Sequence, residues 1–475
     1  MPVPGSASLR QDEVMTSDDA RPGDPYGYLL VHFVEDPDGF AERIHLDVSA
    51  GDDPTSWVPL NGGRPVLASH LGTTGVRDPY LVQDPHGRSY VVATDLRVFH
   101  DRPGGVTDAP DDAPDGYVPW YEHRWLSRDL VVWASDDLVE WSEPWLLRVA
   151  PPTAGRAWAP EATWVEDYDG RGSSGFALYW SSTVFADDDP DRSGTPTSDT
   201  LVAFTADFTQ ADLDARNPDG PGLMHRAQGE VDAIDASVRT VDGVTYRAIK
   251  ENGPGARGVV FARTTAREWW RAGTDWQVLQ TRIGADEYGE VEAPLFFRHH
   301  DGRAWTLMVD QYGERGQGYR AFTTTDPDAA EPWRSLGPSA MSGMVPPTKH
   351  GGVLPLTRAA YDAVRAGDVR SATDPEPVGA TPGTVPALPP TVAATASDGR
   401  TRLTAVTWDP VDPAALRPGA VVEVRGVVAG YAAQRDGVQN DDTWAPDPER
   451  PRTLVVTRPV TVTQRIEVSG SAAAG

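Results

Sequence analysis

The 475-residue chain is 39% hydrophobic and 24% charged, a soluble globular balance, and is too long for one ordinary core. Its formal charge of −28 argues against nucleic acid and anionic membrane as partners but leaves a neutral ligand such as a sugar open. It has no cysteine, which excludes disulfides, thiolate metal sites and cysteine nucleophiles, and no run of about 18 apolar residues that would suit a membrane span.

Residues 1–24 contain no apolar core and read as a flexible lead-in rather than a signal peptide, so the expected location is intracellular unless a leader has been removed. From there, short aromatic or β-branched runs recur: YLLVHF from Tyr28, YVVATDL from Tyr90, FALYWSST from Phe176, TYRAIKE from Thr245 and WTLMVDQY from Trp305. Each is the length of a buried strand and is followed by a second such run, beginning at Arg43, Leu130, Leu201, Gly258 and Tyr319. Several of these units then reach a tryptophan after a polar turn, as at Trp57, Trp141 and Trp333. Five copies of a hairpin-based unit, with no amphipathic helices between them, predict a five-bladed β-propeller over residues 25–370. The first unit lacks a preceding inner strand. GGVLPLT from Gly351 is expected to supply it and so close the ring.

RAAYDAVRAG from Arg358 reads as a short helix, and residues 371–390 as a Pro-rich linker. Residues 391–475 alternate β-branched and polar positions and predict a small antiparallel sandwich that resembles a bacterial immunoglobulin-like module, expected to act as a spacer. The fold class is therefore all-β.

The inner strand of each blade lines the shared axis. At its entry the five units read RDPYLV with Asp78, PEATWV with Glu161, IDASV with Asp235, EAPLFF with Glu292 and HGGVLPL with His350. Aligned this way, four blades place a carboxylate at one position of the repeat. Any one acid alone would read as a turn or cap residue. Four converging on one poorly solvated funnel repel each other and lose hydration, which argues for chemistry rather than stability.

The motifs VRDPY, AIDASV and VEAP, with WAPE at Trp158 to Glu161, resemble glycoside hydrolase family 43, whose members are five-bladed propellers, over roughly residues 25–360. Ala236 and Ala293 stand where that family frequently has Pro and Gly. The resemblance implies that Asp78 is a general base activating water, that Glu292 is a general acid with a raised pKa, and that Asp235 adjusts the acid. It also implies inversion of the anomeric centre, for which the two carboxyls should stand about 6.5–9.5 Å apart.

Further substrate contacts are expected from Trp158, Glu161 and Arg77, although Arg77 could simply pair with Asp78. His350 is expected to line the cavity, and the resemblance associates such a histidine with a structural cation at the axis, with a structural hydrogen bond as the other reading. No cofactor is expected to be required. Trp120, Tyr121 and Trp125, at the end of the long loop 101–125, offer a flat surface for a sugar. The expected activity is exo-acting release of α-L-arabinofuranose or β-xylose from plant polysaccharide or oligosaccharide. An exo-galactanase, a retaining fructan-cleaving propeller and a non-catalytic carbohydrate-binding propeller are the alternatives, and the oligomeric state stays open.

Overall fold

The computed structural model describes residues 21–34, 42–63, 65–98, 124–209, 222–313, 318–344, 348–396, 401–428 and 460–470. The chain enters through β1 (Pro25–Val34), β2 (His45–Ala50) and β3 (Asp53–Pro59). Blade I follows as β4 (Val76–Gln83), β5 (Ser89–Asp95), β6 (Asp129–Ser135) and β7 (Trp145–Arg148). Blade II is β8 (Trp158–Val165), β9 (Gly175–Val184), β10 (Thr197–Thr205) and β11 (Gly222–Arg226). Blade III is β12 (Asp232–Val241), β13 (Val244–Asn252), β14 (Gly258–Thr264) and β15 (Gln277–Gln280). Blade IV is β16 (Val291–Arg298), β17 (Trp305–Gln311), β18 (Gly318–Thr324) and β19 (Arg334–Ser335). β20 (Thr348–Thr357) then returns to pair antiparallel with β1, and the sheet β20-β1-β2-β3 is blade V.

The ring thus closes through the strand that the run from Gly351 was expected to supply. β4, β8, β12, β16 and β20 each pack against the next, and β20 packs against β4. The seam is tight. A Cβ on Gly351 would collide with the Val31 carbonyl, and one on Gly352 would fall 2.7 Å from the Tyr80 ring of blade I, so both glycines are needed for this approach.

The period of two along each strand explains where the core lies. In β1, Leu29 and Val31 pack towards blade I, while Tyr28 and Leu30 pack towards blade IV. The same division gives one apolar cluster at each of the five blade-to-blade interfaces. Strands such as β9 and β17 are buried on both faces, which is why they carry unbroken apolar or aromatic runs, FALYW and LMV, rather than strict alternation. Trp133 and Trp180 are completely enclosed in two of these interfaces.

The helix Arg358–Gly367 forms where expected, with the Thr357 hydroxyl accepting the Ala360 N–H at 3.2 Å as its N-cap. Its Tyr361 and Val364 pack into the cluster between blades V and I, and the Tyr361 hydroxyl donates to the Ser49 carbonyl at 2.9 Å. The stretch expected to be a linker is not simply a linker. β21 (Val369–Ala372) and β22 (Val378–Ala380) join β23 (Thr391–Ala396), β24 (Thr401–Trp408), β25 (Val421–Val428) and β26 (Thr461–Val468) in the order β21-β23-β24-β25-β26-β22. Prolines between these short strands are compatible with edge positions, and β22 pairs with β26 in parallel. Val392, Val428 and Val462 core one part of this C-terminal unit, and Leu416, Val424 and Ile466 the other.

Candidate active site

Each inner strand slips by one residue against its neighbour. Asp78 and Pro79 oppose Ala93, Ala159 and Pro160 oppose Trp180, Asp235 and Ala236 oppose Ile249, and Ala293 and Pro294 oppose Val309. In blade V, Lys349 and His350 oppose Phe33. These are β-bulges, which bend a strand and re-aim its side chains. The first bulge residue of blades I to IV is left-handed, with φ of 47° at Asp78, 49° at Ala159, 56° at Asp235 and 50° at Ala293. Aspartate tolerates this region better than most residues, whereas alanine in it costs about 1–2 kcal/mol.

The bulge corrects the sequence alignment. Asp78 and Asp235 are the first bulge residue of their blades, Glu292 stands one residue before its bulge, and Glu161 stands two residues after the Ala159 position. The four acids therefore do not share one position, because an inserted residue reverses the alternation of side chains beyond it.

Asp78, Asp235, Glu292 and His350 gather at the axis. His350 Nδ1 lies 3.5 Å from Asp78 Oδ1 and 3.9 Å from Asp235 Oδ1. Asp78 Oδ2 accepts from the Thr94 hydroxyl at 2.9 Å, and Asp235 Oδ2 accepts from the Ala293 amide at 3.1 Å.

The four groups are driven apart electrostatically. Burial, followed by the like charges of Asp235 and Asp310, lifts the Glu292 carboxyl to about 8 against the opposing charge of Lys349. Burial would also raise Asp78, but His350, Arg77 and the Thr94 hydroxyl outweigh it and hold that carboxyl below its usual range. Asp235 is raised by burial and by Asp78, with His350 pulling the other way. Burial works against a charged His350, yet Asp235 and Asp78 hold its pKa up at about 9. One buried carboxyl is thus kept protonated near neutral pH while another is kept ionised.

Residues 24–362 match the glycosyl hydrolase 43-related model, described as "Probable glycosyl hydrolase domain". The chain belongs to the glycosyl hydrolase 43-related family. Residues 373–431 match a bacterial Ig-like domain (group 4), in agreement with the C-terminal reading. A relative from Bifidobacterium longum subsp. longum, named α-L-arabinofuranosidase, is 26% identical over 350 residues, which is 68% of this chain. The chain spans only 30% of that relative's length. Among solved structures, an exo-1,5-α-L-arabinanase from a bovine ruminal metagenomic library matches at 13% identity and a TM-score of 0.34, covering 70% of this chain and 94% of that one. A native Bacillus subtilis arabinanase matches at 16% identity and a TM-score of 0.34, covering 60% and 82%.

Within this family-43-related propeller, the other expected site residues divide. Arg77 lies with its guanidinium 4.8 Å from the Phe33 ring centre and contributes to holding Asp78 ionised. Trp158 is half-buried, with the Arg156 guanidinium 4.4 Å over its ring. Glu161 is corrected from a sugar contact to a buried anchor. It is 1% exposed, its Oε2 accepts from the Tyr179 hydroxyl at 3.1 Å, and Arg239 Nη1 lies 3.4 Å from the same oxygen. Trp120 and Tyr121 lie outside the described residues. Trp125 is exposed, backed on one face by Arg192 at 4.2 Å. His350 is engaged with the two aspartates, and among the described residues no group of three or more His, Asp or Glu side chains is arranged to hold a metal ion.

Lys250, Lys349, Thr94, Ser181 and Asp310 were not assigned to the site from the sequence. The two lysines are the only ones in the chain, and both proved to be buried at its centre. Their rarity was the available signal. Lys349 Nζ lies 3.3 Å from Asp310 Oδ1, and Lys250 Nζ donates to the Val291 carbonyl at 2.6 Å.

Proposed function

We propose that the propeller is an inverting, exo-acting glycoside hydrolase that releases a terminal pentose, α-L-arabinofuranose or β-xylose, from plant-type oligosaccharides. The observation that carries this reading is the meeting of Asp78, Asp235 and His350 at the axis, with Asp235 bonded to the Ala293 amide beside Glu292, in surroundings that raise the Glu292 carboxyl and hold Asp78 below its usual range. In this mechanism the Asp78 carboxylate takes a proton from water as the water oxygen attacks the anomeric carbon. Glu292 gives its proton to the departing glycosidic oxygen, and the bond from that oxygen to the anomeric carbon breaks. Asp235, fixed by the Ala293 amide, keeps Glu292 protonated by like-charge repulsion. Membership in the glycosyl hydrolase 43-related family supports the reaction class, and the α-L-arabinofuranosidase relative supports the pentose. The neutral sugar is also the ligand class that a chain of formal charge −28 does not repel.

The test is turnover of activated aryl α-L-arabinofuranosides and β-xylosides by the wild type, Asp78→Asn and Glu292→Gln, followed by arabinan, arabinoxylan and galactan. Each variant should lose about 10²–10⁴-fold in kcat. Wild-type rates in either would overturn the assignment. Proton NMR of the first-formed sugar should show the inverted anomer, and a retained anomer would contradict the base role of Asp78.

A further inference from the structure

In blades I and II the second strand reaches over to the bulge of the next blade with the residue that faces its own pre-bulge position. In blade I that residue is Thr94, whose hydroxyl accepts the Ala159 amide of blade II at 2.8 Å. In blade II it is Ser181, whose hydroxyl accepts the Asp235 amide of blade III at 3.2 Å. In blade III it is Lys250, facing Ile234. An ammonium has three donors and no lone pair, so it cannot accept the corresponding amide of blade IV, that of Ala293. That amide goes to Asp235 Oδ2 at 3.1 Å, and Lys250 donates instead to the Val291 carbonyl at 2.6 Å, one residue before Glu292.

We propose that Lys250 is a positioning residue: by clamping the Val291 carbonyl and leaving the Ala293 amide to Asp235, it brings the Asp235 carboxylate and the Glu292 carboxyl to the same bulge. The proposal rests on the reading of Glu292 as the acid. Lys250 is buried, and its ammonium lies 5.6 Å from the Tyr312 ring centre. A hydroxyl at residue 250, as in blades I and II, would compete for the Ala293 amide and release Asp235 from it. The lysine therefore decides which group this amide fixes, and its charge offsets part of the repulsion gathered there by Asp235, Asp310, Asp78 and Glu292 itself, alongside the charge of Lys349.

The experiment compares Lys250→Thr and Lys250→Arg with the wild type in melting temperature, kcat/KM against pH on an aryl pentoside, and crystal structure. The threonine variant should melt close to the wild type, because its hydroxyl makes the interblade bond that Thr94 makes. Its kcat/KM should fall about 10- to 100-fold, the cost of a displaced acid. Its alkaline limb should move to lower pH, because an Asp235 turned away no longer raises Glu292, and that repulsion is the largest charge effect on the acid. The arginine variant, keeping donors and charge, should restore the limb. In the structure of the threonine variant the introduced hydroxyl should accept the Ala293 amide, with Asp235 turned away. An unmoved limb and unchanged activity, or an Asp235–Ala293 bond that persists beside an unengaged hydroxyl, would overturn the proposal. Should the wild type turn over no glycoside, the reading of the acid fails, and the crystal structure alone still decides the role of Lys250.

Discussion

Glu161 of blade II and Glu292 of blade IV are both glutamates on inner strands, and burial raises the pKa of both. Their neighbours differ in sign. Glu161 meets the Arg239 guanidinium and the Tyr179 hydroxyl, which favour its anion and fix it between blades. Glu292 meets Asp235, Asp310 and Asp78, with Lys349 the main opposing charge. A buried glutamate is therefore not marked as an acid catalyst by burial. It is marked by neighbours that disfavour its anion, and only Glu292 has them in excess.

The largest expected effect breaks or upholds this contrast directly. Glu292→Gln should cost about 10²–10⁴-fold in kcat, whereas Glu161→Gln should stay within roughly tenfold of the wild type. Equal losses in steady-state rates would mean that both acids act at the substrate. Stability should run the opposite way. Glu161→Met strands the Arg239 charge and should destabilise by roughly 3–5 kcal/mol in urea unfolding, while Glu292→Gln removes repulsion and should leave the midpoint unchanged or raise it.

The pH profile sharpens the comparison further. A general acid acts only while protonated, so with Glu292 as the proposed acid the alkaline limb of kcat/KM should fall near pH 8, and with Asp78 as the proposed base the acid limb should lie below the usual carboxylate range. Asp235→Asn removes an anion beside Glu292, which lowers the acid's pKa and should move the alkaline limb down. The smallest effect expected is at His350→Phe. Loss of its charge should raise Asp78 and move the acid limb up, and an acid limb that stays put would assign Asp78's ionisation to Arg77 and Thr94 alone.

Much of the propeller was legible because blade packing imposes a period of two and near-continuous apolar runs on the second and third strands. The hairpin pairs from Tyr28, Tyr90, Phe176, Thr245 and Trp305 became β1/β2, β5/β6, β9/β10, β13/β14 and β17/β18. Ring closure followed from counting strands, and the helix from Arg358 from its pattern. The bulges were not legible, since a left-handed Ala159 or Ala293 leaves no mark in composition. Without them the acids aligned falsely, and Glu161 passed for a cavity residue. The strands Val369–Ala372 and Val378–Ala380 were hidden by the prolines around them and by their shortness, because their pairing depends on partners far along the chain. The function of Lys250 was invisible for a different reason. It depends on what Thr94 and Ser181 do in other blades, which only the interblade distances reveal.

The seam between β1 and β20 also has a consequence for the order of assembly. Pro25 and Thr357 are register partners, so the ring cannot close until nearly the whole propeller sequence is available, and this pairing carries the longest loop-closure cost among the blades. The same final strand delivers His350 and Lys349. Until it docks, Asp78 and Asp235 lack the imidazolium and Glu292 lacks its main opposing charge. Competence should therefore appear as the last event of folding, and a chain stopped before residue 348 should accumulate as a ring of open blades with its acids in place and no working pair.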